Sequence, residues 1–266
     1  MADFTAKDVQ ELRQKTGAGM MDAKRALEET GGDAEAAAKL LREKGLASSA
    51  KRSDRANEQG AVAVGGDSEV MAIAELKCET DFVAKSEQFV ALTQDLADLV
   101  ATVGEEQARA DVADRVDDLK VTLKENIEVG RTVRFEKDGG HLLDSYLHLQ
   151  EGRGVNAVLV EVADGDQDLA HDLALHIAFR RPPYLTRDQV PEAEVDEERA
   201  LLEAETRNEG KPEQALEKIV EGKLQGRFFA DRVLMDQKFV RDESQTIAKL
   251  LGDTTVVRFA QVVIGS

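Results

Sequence analysis

The sequence contains a single cysteine and no tryptophan, and aromatic residues make up only 4% of it. One cysteine cannot close an intrachain bridge, so the fold must hold without disulfides, and Cys78 fits the cytosol better than an oxidising compartment. Scarce aromatics leave little material for stacking bases. Positive charge is short as well, with 35 Lys and Arg against 53 Asp and Glu and a net charge of −18. Phosphate affinity comes largely from Lys and Arg releasing counterions, so this balance argues against nucleic acid as the partner. The run Lys51-Arg52-Ser53-Asp54-Arg55 is too short to reverse that and reads as a solvated linker. No apolar run reaches the roughly 20 residues of a membrane-spanning helix. Met1-Ala2-Asp3-Phe4-Thr5 lacks the basic and apolar regions of a secretory signal, so no membrane is expected among the partners.

Motifs that carry chemistry are also missing. No stretch has the Gly-x-x-x-x-Gly-Lys-Ser/Thr pattern of a phosphate-cradling loop; Thr16-Gly17-Ala18-Gly19 enters a helix with no strand before it, and Gly152-Arg153-Gly154 reads as a turn before a strand. His141, His148, His171 and His176 are dispersed, and the two that share a helix stand five apart rather than four, which does not suit a zinc pair. Cys78 has no nucleophile signature around it and reads as a small buried residue. Carboxylates are abundant, but abundance supplies no pair with a defined separation. No catalytic residue, metal or cofactor is therefore expected.

Patterning is plentiful. A chain of 266 residues can bury a substantial core as one large domain or two to three smaller ones. Thr5 is placed to cap a first helix with Val9 and Leu12 on one face; a second runs from Met20 to Thr30; Asp33 caps a third that carries Ala37, Leu40 and Leu41 and ends at Gly45. Met20 and Met21 read as core filling or as an adaptable contact surface. Residues 47–59 are polar and read as helix end and linker. Ala61–Val64 and Val70–Leu76 flank a glycine turn as a β-hairpin, followed by helices over about Ser86–Val103 and Asp111–Asn126. Arg131–Phe135 and His141–His148 flank Asp138-Gly139-Gly140 as a second hairpin, Val155–Val162 is a further strand, and Asp166 caps a helix that Pro182-Pro183 blocks. The charged stretch from Arg187 to Lys223, divided at Gly210-Lys211-Pro212, reads as an antiparallel helical hairpin. A short helix at about Ser244–Leu251 and a strand over Thr255–Val263 finish the pattern.

The stretch from Leu76 to Phe89 lies at the junction of a strand and a helix, with Phe82 in the junction itself. By spacing alone Phe82 either folds back into the core, where apolar side chains usually sit, or projects as an anchor. Here Thr80-Asp81-Phe82-Val83-Ala84-Lys85 resembles a signature of the bacterial elongation factor Ts family, and the run Thr16-Gly17-Ala18-Gly19-Met20-Met21-Asp22-Ala23-Lys24-Arg25-Ala26-Leu27 resembles its other signature. The similarity continues through Val220-Glu221-Gly222-Lys223 and the Phe239–Val263 region, so it spans nearly the whole chain.

The resemblance implies an α+β fold: a small N-terminal three-helix, ubiquitin-associated-like domain and linker (1–54), then two α+β core subdomains with antiparallel sheets (55–140 and 141–266), the second carrying a helical hairpin at about 187–223. It implies a cytoplasmic guanine-nucleotide exchange factor acting on the GTPase elongation factor Tu, not an enzyme. Asp81 and Phe82 would insert beside the partner's magnesium and nucleotide, while Lys24, His148 and the neighbourhood of Val233 and Leu234 bind elsewhere on it. The helical hairpin is a candidate for homodimerisation. Two local departures stand out: Leu149 follows His148 where the family usually has glycine, and Leu123-Lys124 replaces an apolar residue and glycine at a partner contact. Some relatives carry a further C-terminal helical module, whereas this sequence stops at Gly265-Ser266. A helical adaptor for ubiquitin-like partners and a Cys78-dependent hydrolase are the competing readings; the first leaves residues 60–266 unexplained and the second lacks a base.

Overall fold

The computed structural model describes residues 4–265; Met1–Asp3, part of the segment read for a secretory signal, and the terminal Ser266 lie outside the described residues. Three helices open the chain: α1 (Ala6–Thr16), α2 (Met20–Glu29) and α3 (Ala34–Ala50). Thr5 and Asp8 cap α1 reciprocally, and Gly17 ends it at φ 66°. Asp33 accepts from the amides of Glu35 and Ala36 to start α3. Val9, Leu12, Ala23, Ala26, Leu27, Ala37 and Leu41 form the small core between the three.

Gly45 does not end α3, contrary to the sequence expectation: the helix runs on to Ala50. A Cβ at Gly45 would stand 2.5 Å from Val121 Cγ1, so glycine serves close packing against a later helix. The segment that follows is not a free linker either. Arg52 donates to the Lys120 carbonyl at 3.1 Å, and Asn126 donates to the carbonyls of Ser53 and Arg55 at 3.2 and 2.9 Å.

Strands β1 (Gln59–Gly66) and β2 (Val70–Cys78) pair as the expected hairpin. The one-turn helix α4 (Asp81–Ala84) comes next, then α5 (Glu87–Val103) and α6 (Glu105–Leu123), the last starting six residues earlier than expected from Asp111. Phe89, Leu92, Leu96 and Val100 recur at helical spacing on α5 and pack on Ala61, Ala63, Ala72, Ala74 and Leu76 of the hairpin, with Val112 and Val116 of α6 in the same cluster.

The next strands are β3 (Glu128–Glu136), β4 (Leu142–Gln150) and β5 (Arg153–Ala163). The expected β3–β4 hairpin does not form. Strand β3 pairs with β2 while β4 pairs with β5, in a sheet ordered β3-β2-β1-β5-β4. Glu151-Gly152, both at positive φ between the paired Gln150 and Arg153, make the two-residue turn that selects β5 for β4. The Asp138-Gly139-Gly140 link is instead tied to β5: Glu161 accepts from the Asp138 amide at 3.1 Å, meets His141 Nδ1 at 2.8 Å and accepts from Arg258 Nε at 2.6 Å. Burial opposes ionisation of Glu161, yet these partners outweigh it and hold its pKa below the ordinary carboxylate value.

Helix α7 (Gln167–Arg180), capped by Asp166, packs Leu173, Ala174 and Ile177 on Val158, Val160 and Val162 of β5. The helical hairpin follows as expected, with α8 (Glu192–Asn208) and α9 (Glu213–Lys223), and continues through a π-helical turn (Leu224–Phe229) into α10 (Ala230–Arg232). The chain closes with β6 (Lys238–Phe239), β7 (Asp242–Thr246), α11 (Ile247–Leu251) and β8 (Thr255–Val263), the last pairing with β5. Residues 244–246, expected in the short helix, belong to β7, because Thr246 is the cap that starts α11.

One face of all six main strands feeds a single apolar layer containing Val62, Ile73, Phe135, Leu143, Leu159 and Ala260. The sheet therefore curls around this layer, with α5 and α6 outside one half and α7 outside the other. Where the halves meet, Gly154 faces Val62, and a Cβ there would collide with the Val62 carbonyl oxygen. Buried Arg153 crosses the same seam, donating to the Gly60 carbonyl at 2.5 Å and to Gln59 Oε1 at 3.1 Å.

Candidate functional site

Phe82 projects from α4 with 82% of its surface exposed, while Ala84 two residues on is fully buried. Four residues make only one helical turn, which has no stability of its own in water. Its neighbours supply the order. Thr80 caps the turn by accepting from the Val83 amide at 3.4 Å, and Cys78 Sγ donates to the Thr80 carbonyl at 3.2 Å. Glu125, just beyond α6, accepts from the amides of Glu79 and Thr80 at 3.0 and 3.1 Å and from the Thr80 hydroxyl at 2.5 Å. Glu79 answers by accepting from the Asn126 amide at 2.7 Å. The aromatic ring is thus offered to solvent by a backbone fixed from below.

Glu125 was not among the residues singled out in the sequence, because its role depends on the end of α6 approaching a turn 45 residues away. Asp81 accepts from Lys85 Nζ at 2.7 Å, and this hydrogen bond holds its pKa below the ordinary value while raising that of Lys85. Cys78 is fully buried; desolvation pushes its thiol up to about 12, far from the thiolate that nucleophilic chemistry requires.

The remaining predicted residues are scattered. His148 is exposed near the end of β4, stacked with Tyr146 at 6.3 Å between ring centroids, and a β-bulge separates it from Leu149, itself 64% exposed. Lys24 is exposed on α2 and pairs with Glu28 at 3.5 Å; Met20 and Met21 on the same helix are exposed rather than core filling. Val233 and Leu234 are both fully buried, so these two side chains support the local surface from beneath. Lys124 caps α6 at φ 61°, the left-handed conformation that favours glycine. Of the histidines expected to be unrelated, His176 is buried and bonded to Gln237 Oε1 at 2.9 Å, and His171 lies on α7 at 3.1 Å from Asp144.

Fold and site together define an α+β protein that holds an exposed aromatic side chain on a braced turn. The profile of the family described as Elongation factor TS matches residues 79–266. Proteins named Elongation factor Ts from Acidothermus cellulolyticus, Micrococcus luteus and Thermobifida fusca are 44%, 41% and 41% identical to this chain, covering all of it and 99–100% of their own lengths. The chain belongs to the elongation factor Ts family.

Proposed function

We propose that this protein is a guanine-nucleotide exchange factor for elongation factor Tu and that the turn bearing Asp81 and Phe82 is its working part. The observation that supports this most is the contrast between Phe82, 82% exposed, and the buried or bonded residues on either side of it. An apolar ring held in water by a rigid backbone is suited to becoming a buried anchor in a complex. Exchange requires only that the factor bind the nucleotide-free GTPase better than the GDP form; linkage then lowers GDP affinity by the same factor. In this reading Asp81 and Phe82 enter beside the partner's magnesium site. Displacing the cation leaves the GDP phosphates less well compensated. Lys24, His148 and the surface above Val233 and Leu234 hold the partner elsewhere.

We assign the protein no chemical step of its own, no cofactor and no nucleic-acid partner, and place it in the cytoplasm. Among the described residues no helix is long and apolar enough to cross a membrane. Residues 1–54, 55–140 and 141–266 act as the three functional units, and the α8–α9 hairpin, which exposes 60% of Leu201, is the site for any self-association. Release of a fluorescent GDP analogue from elongation factor Tu, with and without the protein, tests the reading. Acceleration that persists in Cys78→Ser is the expected result, and an unchanged release rate would overturn it.

A further inference from the structure

We propose that Lys85 is a positioning residue that clasps the Phe82 turn to the β4–β5 turn, so that Phe82, His148 and Leu149 meet a partner as one prearranged surface. Lys85 Nζ lies 2.7 Å from Asp81 and also pairs with Glu151, a residue of the β4–β5 turn. Its side chain is only 28% exposed, against 42% for Asp81 and 60% for Glu151, so the cation is the shielded centre of the triad. Glu151 occupies a left-handed position, φ 52°, at the first place of a two-residue turn where Asn, Asp or Gly suits the backbone better. A longer carboxylate there has a use that the turn does not explain: it reaches Lys85. Buried Arg153, two residues on, anchors the same hairpin to β1 through Gly60 and Gln59. Thus α4, which follows β2, and the end of β4, in the other half of the sheet, are joined next to both exposed apolar side chains. Fixing two contact segments before binding lowers the ordering cost of association.

The inference rests on the exchange reading for its use, though the clasp has a readout of its own. In the free protein, amide hydrogen exchange at Ala84 and Lys85, which donate to Thr80 and Asp81, reports opening of α4. Lys85→Met and Glu151→Asn should each speed it roughly two- to fivefold, the range of an ion pair of this exposure, and Lys85→Arg should restore protection. Asn suits the turn while being too short to reach Lys85, so the melting temperature of Glu151→Asn should hold or rise. With the GTPase, both variants should raise the factor concentration needed for half-maximal GDP release by a similar two- to fivefold while leaving the plateau rate unchanged. The double variant should do no more than Lys85→Met alone, which already removes the cation from both of its partners. Unchanged α4 protection in Glu151→Asn, or additive effects in the double variant, overturns the clasp. A wild-type protein that fails to stimulate release overturns the exchange reading instead, and the amide measurement still decides on the clasp.

Discussion

At the scale of single residues, Phe82 and Lys124 show how little a residue's type says about its work. Truncating a buried phenylalanine costs about 3–5 kcal/mol of folding stability. Phe82 stands in water, so Phe82→Ala should shift folding by no more than about 0.5 kcal/mol while removing about 2 kcal/mol or more from the complex. Thermal unfolding beside stopped-flow GDP release separates the two effects; a destabilised variant that exchanged normally would return the ring to the core. Lys124 carries a backbone conformation that costs an L-residue about 1–2 kcal/mol. Lys124→Gly should therefore stabilise the protein by about 1 kcal/mol in urea unfolding, the entropy of the more flexible unfolded glycine offsetting part of the gain.

Elements are held to one another by a few polar groups whose loss should be felt locally. Glu125 satisfies three donors of the Glu79–Thr80 backbone and hydroxyl, and leaving such donors unpaired costs about 1–3 kcal/mol. Glu125→Ala should loosen α4, raise amide exchange from Thr80 to Lys85 and weaken GDP release more than it lowers the melting temperature. His176 joins α7 to the segment around β6: its Nε2 meets Gln237 Oε1 at 2.9 Å and its Nδ1 accepts from the Val240 amide at 3.2 Å. Protonating Nδ1 would set two N–H groups against each other, and burial lowers the pKa from 6.5 to about 4. The neutral form is thus favoured by folding. Its contribution is complete above pH 6.5 and is lost as pH falls toward 4, on the order of 3 kcal/mol in total. Urea titrations between those limits should show that slope, and His176→Gln should flatten it.

For the whole molecule, the α8–α9 hairpin is a charged element that shares its apolar base with the π-helical turn after it. Lys223 bonds Glu209 at 2.8 Å between its two arms, and at its base Leu202 and Val220 pack with Leu224, Phe228, Phe229 and Val233. Replacing residues 187–223 by a tight turn should alter self-association more than one-to-one exchange, as sedimentation beside the release assay would show; unchanged mass with lost exchange would refute this. Helices were legible in the sequence because caps such as Thr5, Asp33 and Asp166 and the spacing of Phe89, Leu92 and Leu96 act within a few residues of one another. The two long signatures marked the family for the same reason, being local strings. Strand partnership was not local: Asp138-Gly139-Gly140 has the composition of a hairpin turn, yet β3 gains its hydrogen bonds from β2 and β4 from β5. Gly45 looked like a helix stop until Val121 of α6 lay against it. The sequence by itself determined the family, the longer helices apart from some of their ends, and the aromatic at the β2–α5 junction, all matters of near neighbours. Tertiary structure alone decided that Phe82 faces water and that Glu125, Lys85 and Glu151 brace its turn, because a side chain's exposure and its distant partners depend on what the rest of the chain brings beside it.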